Sequence, residues 1–244
     1  MPDSLLAVSA KSENKLFPIT SRLLISSPTA YAPPPDSGID FVYRDEFLLV
    51  VNKPPGLLSV PGRGDEKSDS LTTRVKKEFP DALSVHRLDM STSGLMVLAL
   101  GKEMHGHLSR LFRERKVSKR YVALVAGRLD PAVGVVDLPL GSDWPNRPRQ
   151  QVDFARGKSS LTHYRLLAYD ADTNTSRVEL EPVTGRTHQL RVHMTVIGHP
   201  IVGDALYGGA ADATAEGLLL HASVLSITHP FSTESLTLAS EAPF

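Results

Sequence analysis

The stretch His86-Arg87-Leu88-Asp89-Met90-Ser91-Thr92-Ser93-Gly94 sets a basic pair, one carboxylate and a small polar turn immediately ahead of the apolar run Leu95–Leu100. A carboxylate can act as a nucleophile or as a general base. An ionised Asp at the mouth of a buried strand is costly unless something pairs with it, so Asp89 calls for a cationic partner elsewhere in the chain. The plainer alternative is a turn or cap aspartate before Thr92. Glycoside hydrolysis uses a pair of carboxylates, and the motif around Asp89 offers one. His188, His193 and His199 are spaced by five and six residues, not by the four that puts two ligands on one helix face. No metal site is expected from them. The chain has no cysteine, which excludes disulfides, thiolate zinc sites and cysteine nucleophiles.

The elements that must position these groups can be read from periodicity. The run 95–100 is short, branched at Val97 and flanked by Gly94 and Gly101, so it reads as a buried strand. Phe47–Val51 is a second apolar strand, closed by the turn Asn52-Lys53-Pro54-Pro55-Gly56. Ser70–Phe79 has helical spacing with Ser70 as N-cap and Pro80 as stop. Lys102–Arg115 is the strongest helix, with Met104, Leu108, Leu111 and Phe112 on one face. Arg120–Ala126 reads as a strand. Leu138–Arg156, rich in Pro, Arg and Asn and holding the single tryptophan Trp144, reads as a long loop, which in a compact domain is usually functional or disordered. Thr162–Tyr169 and Arg177–Pro182 form a strand pair around the turn at 170–174. Gln189–Ile197 is a helix, and 218–222 and 224–228 are two short strands. Without a regular βαβ alternation, the fold class is α+β with a mixed, mostly antiparallel sheet flanked by helices and loops.

At 244 residues the chain fits one large domain or two small ones. Residues 1–38 lack sustained periodicity and end in a proline-rich run, so they are expected to form a flexible extension, with the folded domain at 39–244. No apolar run approaches the ~20 residues that span a bilayer and no signal peptide is evident, so a soluble, cytoplasmic protein is expected. The net charge is zero, but it is unevenly spread. Residues 101–128 carry eight Lys/Arg against two Glu, a local +6, while 204–244 carry five acids and no Lys or Arg, a local −5. Such asymmetry fits nucleic-acid contact, because phosphate binding needs a patch rather than a high pI. A solvated helix face is the plainer reading.

Four segments together resemble the RluA-type pseudouridine synthases. His86–Asp89 with Thr92-Ser93-Gly94 resembles the family's catalytic motif, and 52–56 its N-terminal motif. Lys119–Val125 is similar to its tyrosine segment. Gly185–His193, followed by Gly203-Asp204-Ala205-Leu206-Tyr207-Gly208, is similar to its arginine motif. The resemblance covers residues 39–244. Segments 57–63 and 143–148 resemble the compact members, and the first 38 residues are too short and unpatterned for the S4 RNA-binding domain that many relatives carry. That subtype implies two substrates, a uridine in the tRNA anticodon loop and one in a hairpin of 23S rRNA, with no cofactor, no membrane and no protein partner, and with a monomer as the default.

The resemblance also implies the roles. Pseudouridylation breaks the N1–C1′ bond, turns the base and rejoins it through C5, so nothing is oxidised. Asp89 would act at the sugar, as nucleophile at C1′ or base at C2′. Arg191 would hold it ionised. Tyr121 would stack on the rotating base and help the C5 proton leave. The target must be flipped out, and Arg87 would fill the space, with His86 orienting the backbone against the RNA. Arg113, Lys116, Lys119 and Arg120, with Arg147 and Arg149, would hold phosphates. A non-catalytic RNA-binding module would explain the basic patch but not the aspartate.

Overall fold

The apolar run ahead of which Asp89 sits lies at the centre of one half of a large mixed sheet, in the computed structural model, which describes residues 7–8, 31–208 and 217–244. In chain order the strands are β1 (Ala7–Val8), β2 (Phe41–Arg44), β3 (Leu48–Lys53), β4 (Ala82–Ser84), β5 (Ser93–Leu100), β6 (Ser118–Ala126), β7 (Val133–Asp137), β8 (Leu140–Ser142), β9 (Gln150–Val152), β10 (Leu161–Asp170), β11 (Thr175–Pro182), β12 (Leu220–Thr228) and β13 (Ser235–Ala239). The helices are α1 (Leu71–Val75), α2 (Gly101–Arg113) and α3 (Gln189–Val196). The long sheet runs β1-β7-β10-β11-β6-β12-β5-β3-β2, with β13 on β12 and β4 on β5. The α+β class with a mostly antiparallel sheet is what the element pattern predicts. Among the described residues no helix is long and apolar enough to cross a membrane.

β5 is continuously apolar because both of its faces are covered. Leu95, Val97 and Ala99 pack with Leu48 and Val50 of β3 and with Met104 and Leu108 of α2. Met96 and Leu98 point the other way, onto Leu49, Val51 and the α1 residues Leu71 and Val75. In the other half, Leu190 and Met194 of α3 pack on Ala123, Val125, Val178 and Leu180. The two halves meet at a narrow parallel seam, where β5 pairs with β12 only through Ser93↔His221 and Ala222↔Gly94. Gly94 has φ of +109°, and a Cβ there would lie 2.4 Å from the Ala222 carbonyl oxygen, so the approach requires glycine.

Three expectations are adjusted. The helix expected at 70–79 is capped by Ser70, whose side chain accepts from Thr73 N–H at 3.2 Å, but it unwinds after Val75 into turns that still deliver Phe79 onto Phe41. The long loop at 138–156 contains the hairpin β8–β9, whose three-residue strands are too short to show alternation. Segments 218–222 and 224–228 are largely one strand, β12, interrupted by an irregularity between Ala222 and Val224.

Of the extension expected at 1–38, residues 1–6 and 9–30 lie outside the described residues. Residues 31–38 are tied to the domain. Tyr31 Oη donates to Asp69 O at 3.0 Å and accepts from Leu58 N–H at 3.1 Å. The buried Arg74 donates to Pro34 O at 2.6 Å, and Lys77 pairs with Asp36 at 2.8 Å.

Candidate active site

Asp89 sits in the turn that feeds β5, where Thr92 N–H donates to the Asp89 carbonyl at 3.1 Å. Two elements hold this turn from behind. Lys53, at the end of β3, is fully buried and donates its ammonium to Pro54 O, Leu57 O and Met90 O at 2.8, 2.7 and 3.0 Å. Three carbonyls saturate the three donors of an ammonium. Burial lowers this amine to about 7, and the nearby Asp89 charge pulls it back up. Ser59 Oγ meanwhile donates to Leu88 O at 2.7 Å and accepts from Leu88 N–H at 3.0 Å.

Arg191 arrives from α3 in the other half of the sheet. Its Nη1 donates to Asp89 Oδ2 at 3.2 Å. Its Nε and Nη2 grip Asp204 in a two-pronged pair, both at 2.7 Å. Asp204 also accepts from the backbone N–H groups of Leu206 and Tyr207, at 2.9 and 3.2 Å. Burial pushes the Asp204 carboxyl up, but Arg191 and these donors outweigh it and the group lies below its ordinary value. Arg191 therefore has its fork fixed by one aspartate while one arm remains for the other. This is the partner that the strand-mouth aspartate calls for.

A chain of hydrogen bonds runs from the hairpin to His188, beside Asp89. Gln150 N–H donates to Tyr207 Oη at 2.7 Å, and that hydroxyl lies 2.7 Å from His188 Nδ1. His188 Nε2 is 3.8 Å from Asp89 Oδ2. When the Tyr207 hydroxyl donates to Nδ1, Nε2 is the protonated nitrogen and faces the carboxylate. Burial keeps His188 below its ordinary value, partly countered by Asp89. The backbone of His188 is left-handed, φ +54°, at the start of α3.

These groups open into a cavity of about 620 Å³, lined by His86, Arg87, Asp89, Phe112, Arg113, Lys119, Tyr121, Arg186, His188 and Arg191 among others. Tyr121 is half-buried in the wall. Its hydroxyl is raised above 10, first by burial and then by the Asp89 charge, so it remains a neutral phenol. Asp89, Tyr121 and Arg191, 32 and 70 residues apart in sequence, thus line one space.

The expected RNA-contacting residues divide. Arg87 and Arg113 are exposed at the cavity mouth, and Lys119 lines it. Lys116 is exposed beyond the end of α2 and pairs with Glu114 at 2.8 Å. Arg147 and Arg149 lie on the hairpin tip, Arg147 over Trp144 and Arg149 over Tyr207. Arg120 does not join the cavity. Alternation along β6 puts it on the face opposite Lys119 and Tyr121, where it meets Glu179 at 3.4 Å. His86 has a structural task, because its Nε2 accepts from Val97 N–H at 2.9 Å while its ring stacks on Phe112 at 4.4 Å. It satisfies β5 just beyond the point where β4 stops pairing. Burial, then Lys119, depress this imidazole to about 3, so it stays neutral. The three histidines considered for a metal have separate partners, His188 with Tyr207, His193 with Thr162 and Leu138, and His199 with Ala126. Lys53, His188, Asp204 and Tyr207 are site residues that motif reading did not single out.

A family model described as RNA pseudouridylate synthase matches residues 47–195. The chain is 53% identical over 215 residues to a protein of Escherichia coli K12 named dual-specificity RNA pseudouridine synthase RluA, covering 88% of this chain and 98% of that one. It belongs to the RNA pseudouridylate synthase family. A second RluA, from Yersinia pestis, is 55% identical over 190 residues, with 78% of this chain and 92% of that one covered. Among solved structures, human RNA pseudouridylate synthase domain containing 1 superposes with a TM-score of 0.73 at 34% identity, covering 87% of each chain. The human domain-containing 4 protein gives 0.68 at 27% identity, covering 84% of this chain and 88% of that one. The synthase is accordingly an isomerase of RNA uridines.

Proposed function

We propose that this synthase isomerises uridines in stem-loop RNA, with the anticodon loop of tRNA and a hairpin of 23S rRNA as its two substrates, and that Asp89 is the group that acts on the sugar. The relatives named dual-specificity support the breadth. The observation that carries the site is the 3.2 Å contact between Asp89 and Arg191 across the two halves of the sheet. The flipped nucleotide enters the cavity with C1′ near Asp89. The carboxylate either attacks C1′ or removes the C2′ proton, and the N1–C1′ bond breaks with its electron pair leaving on the uracil. The base turns and C5 bonds to C1′; in the first route this displaces the Asp89 carboxylate from C1′, and in the second Asp89 gives its proton back to C2′. The C5 proton then departs to solvent and N1 takes one up, so the product is an isomer of the substrate and the carboxylate is regenerated.

Arg191 orients Asp89 with one arm, Nη1, while Asp204 holds the rest of the guanidinium. Tyr121 is a flat platform for the turning base. Its raised, neutral hydroxyl suits hydrogen bonding and disfavours service as a proton acceptor in its own right. His188, hydrogen-bonded to Tyr207 at Nδ1, turns Nε2 toward Asp89 and serves as a positioning residue. Arg87 occupies the space that the flipped nucleotide leaves, and Arg113, Lys116, Lys119, Arg147 and Arg149 meet phosphates.

The test is pseudouridine formation in both stem-loops by the unaltered chain and by Asp89→Asn. Conversion of both RNAs, lost in the variant, is expected. Conversion of only one narrows the specificity, and undiminished conversion by Asp89→Asn removes Asp89 from the chemistry. Mapping pseudouridine in tRNA and 23S rRNA from cells lacking the protein locates the target positions.

A further inference from the structure

The tip of the β8–β9 hairpin holds a group that this mechanism leaves unused. Trp144, the single tryptophan of the chain, is 67% exposed. A ring so large is ordinarily well covered. Here its face is met by the Arg147 guanidinium, 4.3 Å from the ring centroid. The tip is nonetheless held in shape. Asn146 Nδ2 donates to both oxygens of Asp143, at 3.1 and 2.9 Å, and Asp143 N–H and Arg149 N–H donate to Arg149 O and Asn146 O, both at 3.0 Å. The base of the hairpin is fixed to α3 through Leu140 and Val152 against Val192 and Tyr207.

We infer that Trp144 and Arg147 form a second base-binding platform, on which an unpaired nucleobase of the RNA loop stacks while the target uridine occupies the cavity. The inference rests on the RNA reading above and deepens it. Aromatic rings bind bases through their faces, and an arginine over the ring adds charge and a second planar surface. The tip is cationic, since it carries Arg147 on the ring and Arg149 two residues on, and its one acid, Asp143, is engaged by Asn146. An exposed aromatic ring with a cation on its face suits a base on a phosphate backbone better than the apolar surface of a protein partner.

The hairpin that carries the platform is linked to the site. Arg149 lies 5.4 Å from the Tyr207 ring centroid, Arg191 lies 5.2 Å from the same centroid, and Arg191 reaches Asp89. One ring and two guanidinium groups therefore bridge the hairpin to the carboxylate. Because every base has a π-face, such a platform tolerates differences in sequence. That is the property needed by a synthase that accepts two different loops.

The single tryptophan makes the test direct. Stem-loop RNA is titrated into the full-length Asp89→Asn chain while tryptophan emission is recorded, and RNA affinity is followed separately by anisotropy of labelled RNA. Saturating RNA is expected to quench emission, and an abasic substitution at one loop position outside the target uridine is expected to restore it. In the otherwise unaltered chain, Trp144→Ala is expected to weaken RNA binding about tenfold, with Trp144→Phe recovering most of the loss. Unchanged emission on RNA that demonstrably binds, or wild-type affinity in Trp144→Ala, overturns the platform. Failure of the RNA reading itself looks different, because the unaltered chain would then neither bind nor convert any stem-loop, and the platform falls with it.

Discussion

Behind Asp89 each charge meets a partner inside the protein. Arg191 is divided between two aspartates, Lys53 is enclosed by three carbonyls, and His188 is steered by Tyr207. Around the mouth, by contrast, Arg87, Arg113 and Arg115 extend into solvent. On the proposed reading, the rear wall is arranged before substrate arrives and its contribution goes into the barrier of the reaction. The rim would gain its partners from RNA phosphates, and its contribution would go into affinity and depend on salt. Substitutions in the two regions should therefore change different constants.

The largest expected effect is at the carboxylate. Asp89→Asn should lower turnover by roughly a thousandfold or more, while RNA affinity is retained; single-turnover assays and equilibrium binding measure the two. Arg191→Ala should also nearly abolish turnover, and it should additionally destabilise the fold by about 3–5 kcal/mol, because Asp204 is left buried and unpaired. Urea unfolding measures that loss. The double variant Arg191→Met with Asp204→Leu should regain much of the stability and none of the activity. Recovery of both would show that the pair serves only the fold.

Lys53→Met comes next. It strips the donor from three buried carbonyls and loosens the turn that carries Asp89, so kcat should fall about 10- to 100-fold with little change in RNA binding. On the rim, Arg113→Ala should weaken RNA several-fold, reduce the salt slope of binding by about one, and leave kcat at saturating RNA unchanged. A fall in kcat there would erase the distinction between wall and rim. The smallest effect concerns pH. The folded imidazole of His86 is depressed to about 3, whereas in the unfolded chain it takes up a proton near 6.5. The unfolded state thus binds the extra proton between these values, and stability should fall as pH drops from 6.5 toward 3. His86→Gln, which can still accept from Val97, should make that acid decline shallower in denaturation series.

Much of the rear wall was legible in outline. The cost of an ionised Asp at the mouth of an apolar strand pointed to a cation, and the motif order supplied Arg191. Asp204, Lys53 and Tyr207 stand inside the motifs, yet their roles depend on contacts made in part with residues distant in sequence. Lys53 holds the carbonyl of Met90, 37 residues on. No local pattern announces such a contact. Arg120 is the opposite case, because strand alternation beside Tyr121 already separates the two faces, and the grouping of cations by sequence proximity overrode it. The hairpin at 140–152 was hidden by the brevity of its strands and by a proline- and asparagine-rich tip.

Lys53 has a use beyond its place in the wall. An amine lowered to about 7 gives up its proton more readily than an ordinary surface lysine and, once freed from its three carbonyls and reached, reacts faster with acylating reagents. Its burial withholds it. Modification of Lys53 must wait for the 89–92 turn to lift away, so its labelling rate, read by mass spectrometry, is a clock for the opening of the catalytic loop, and RNA that seats on Asp89 should slow that clock.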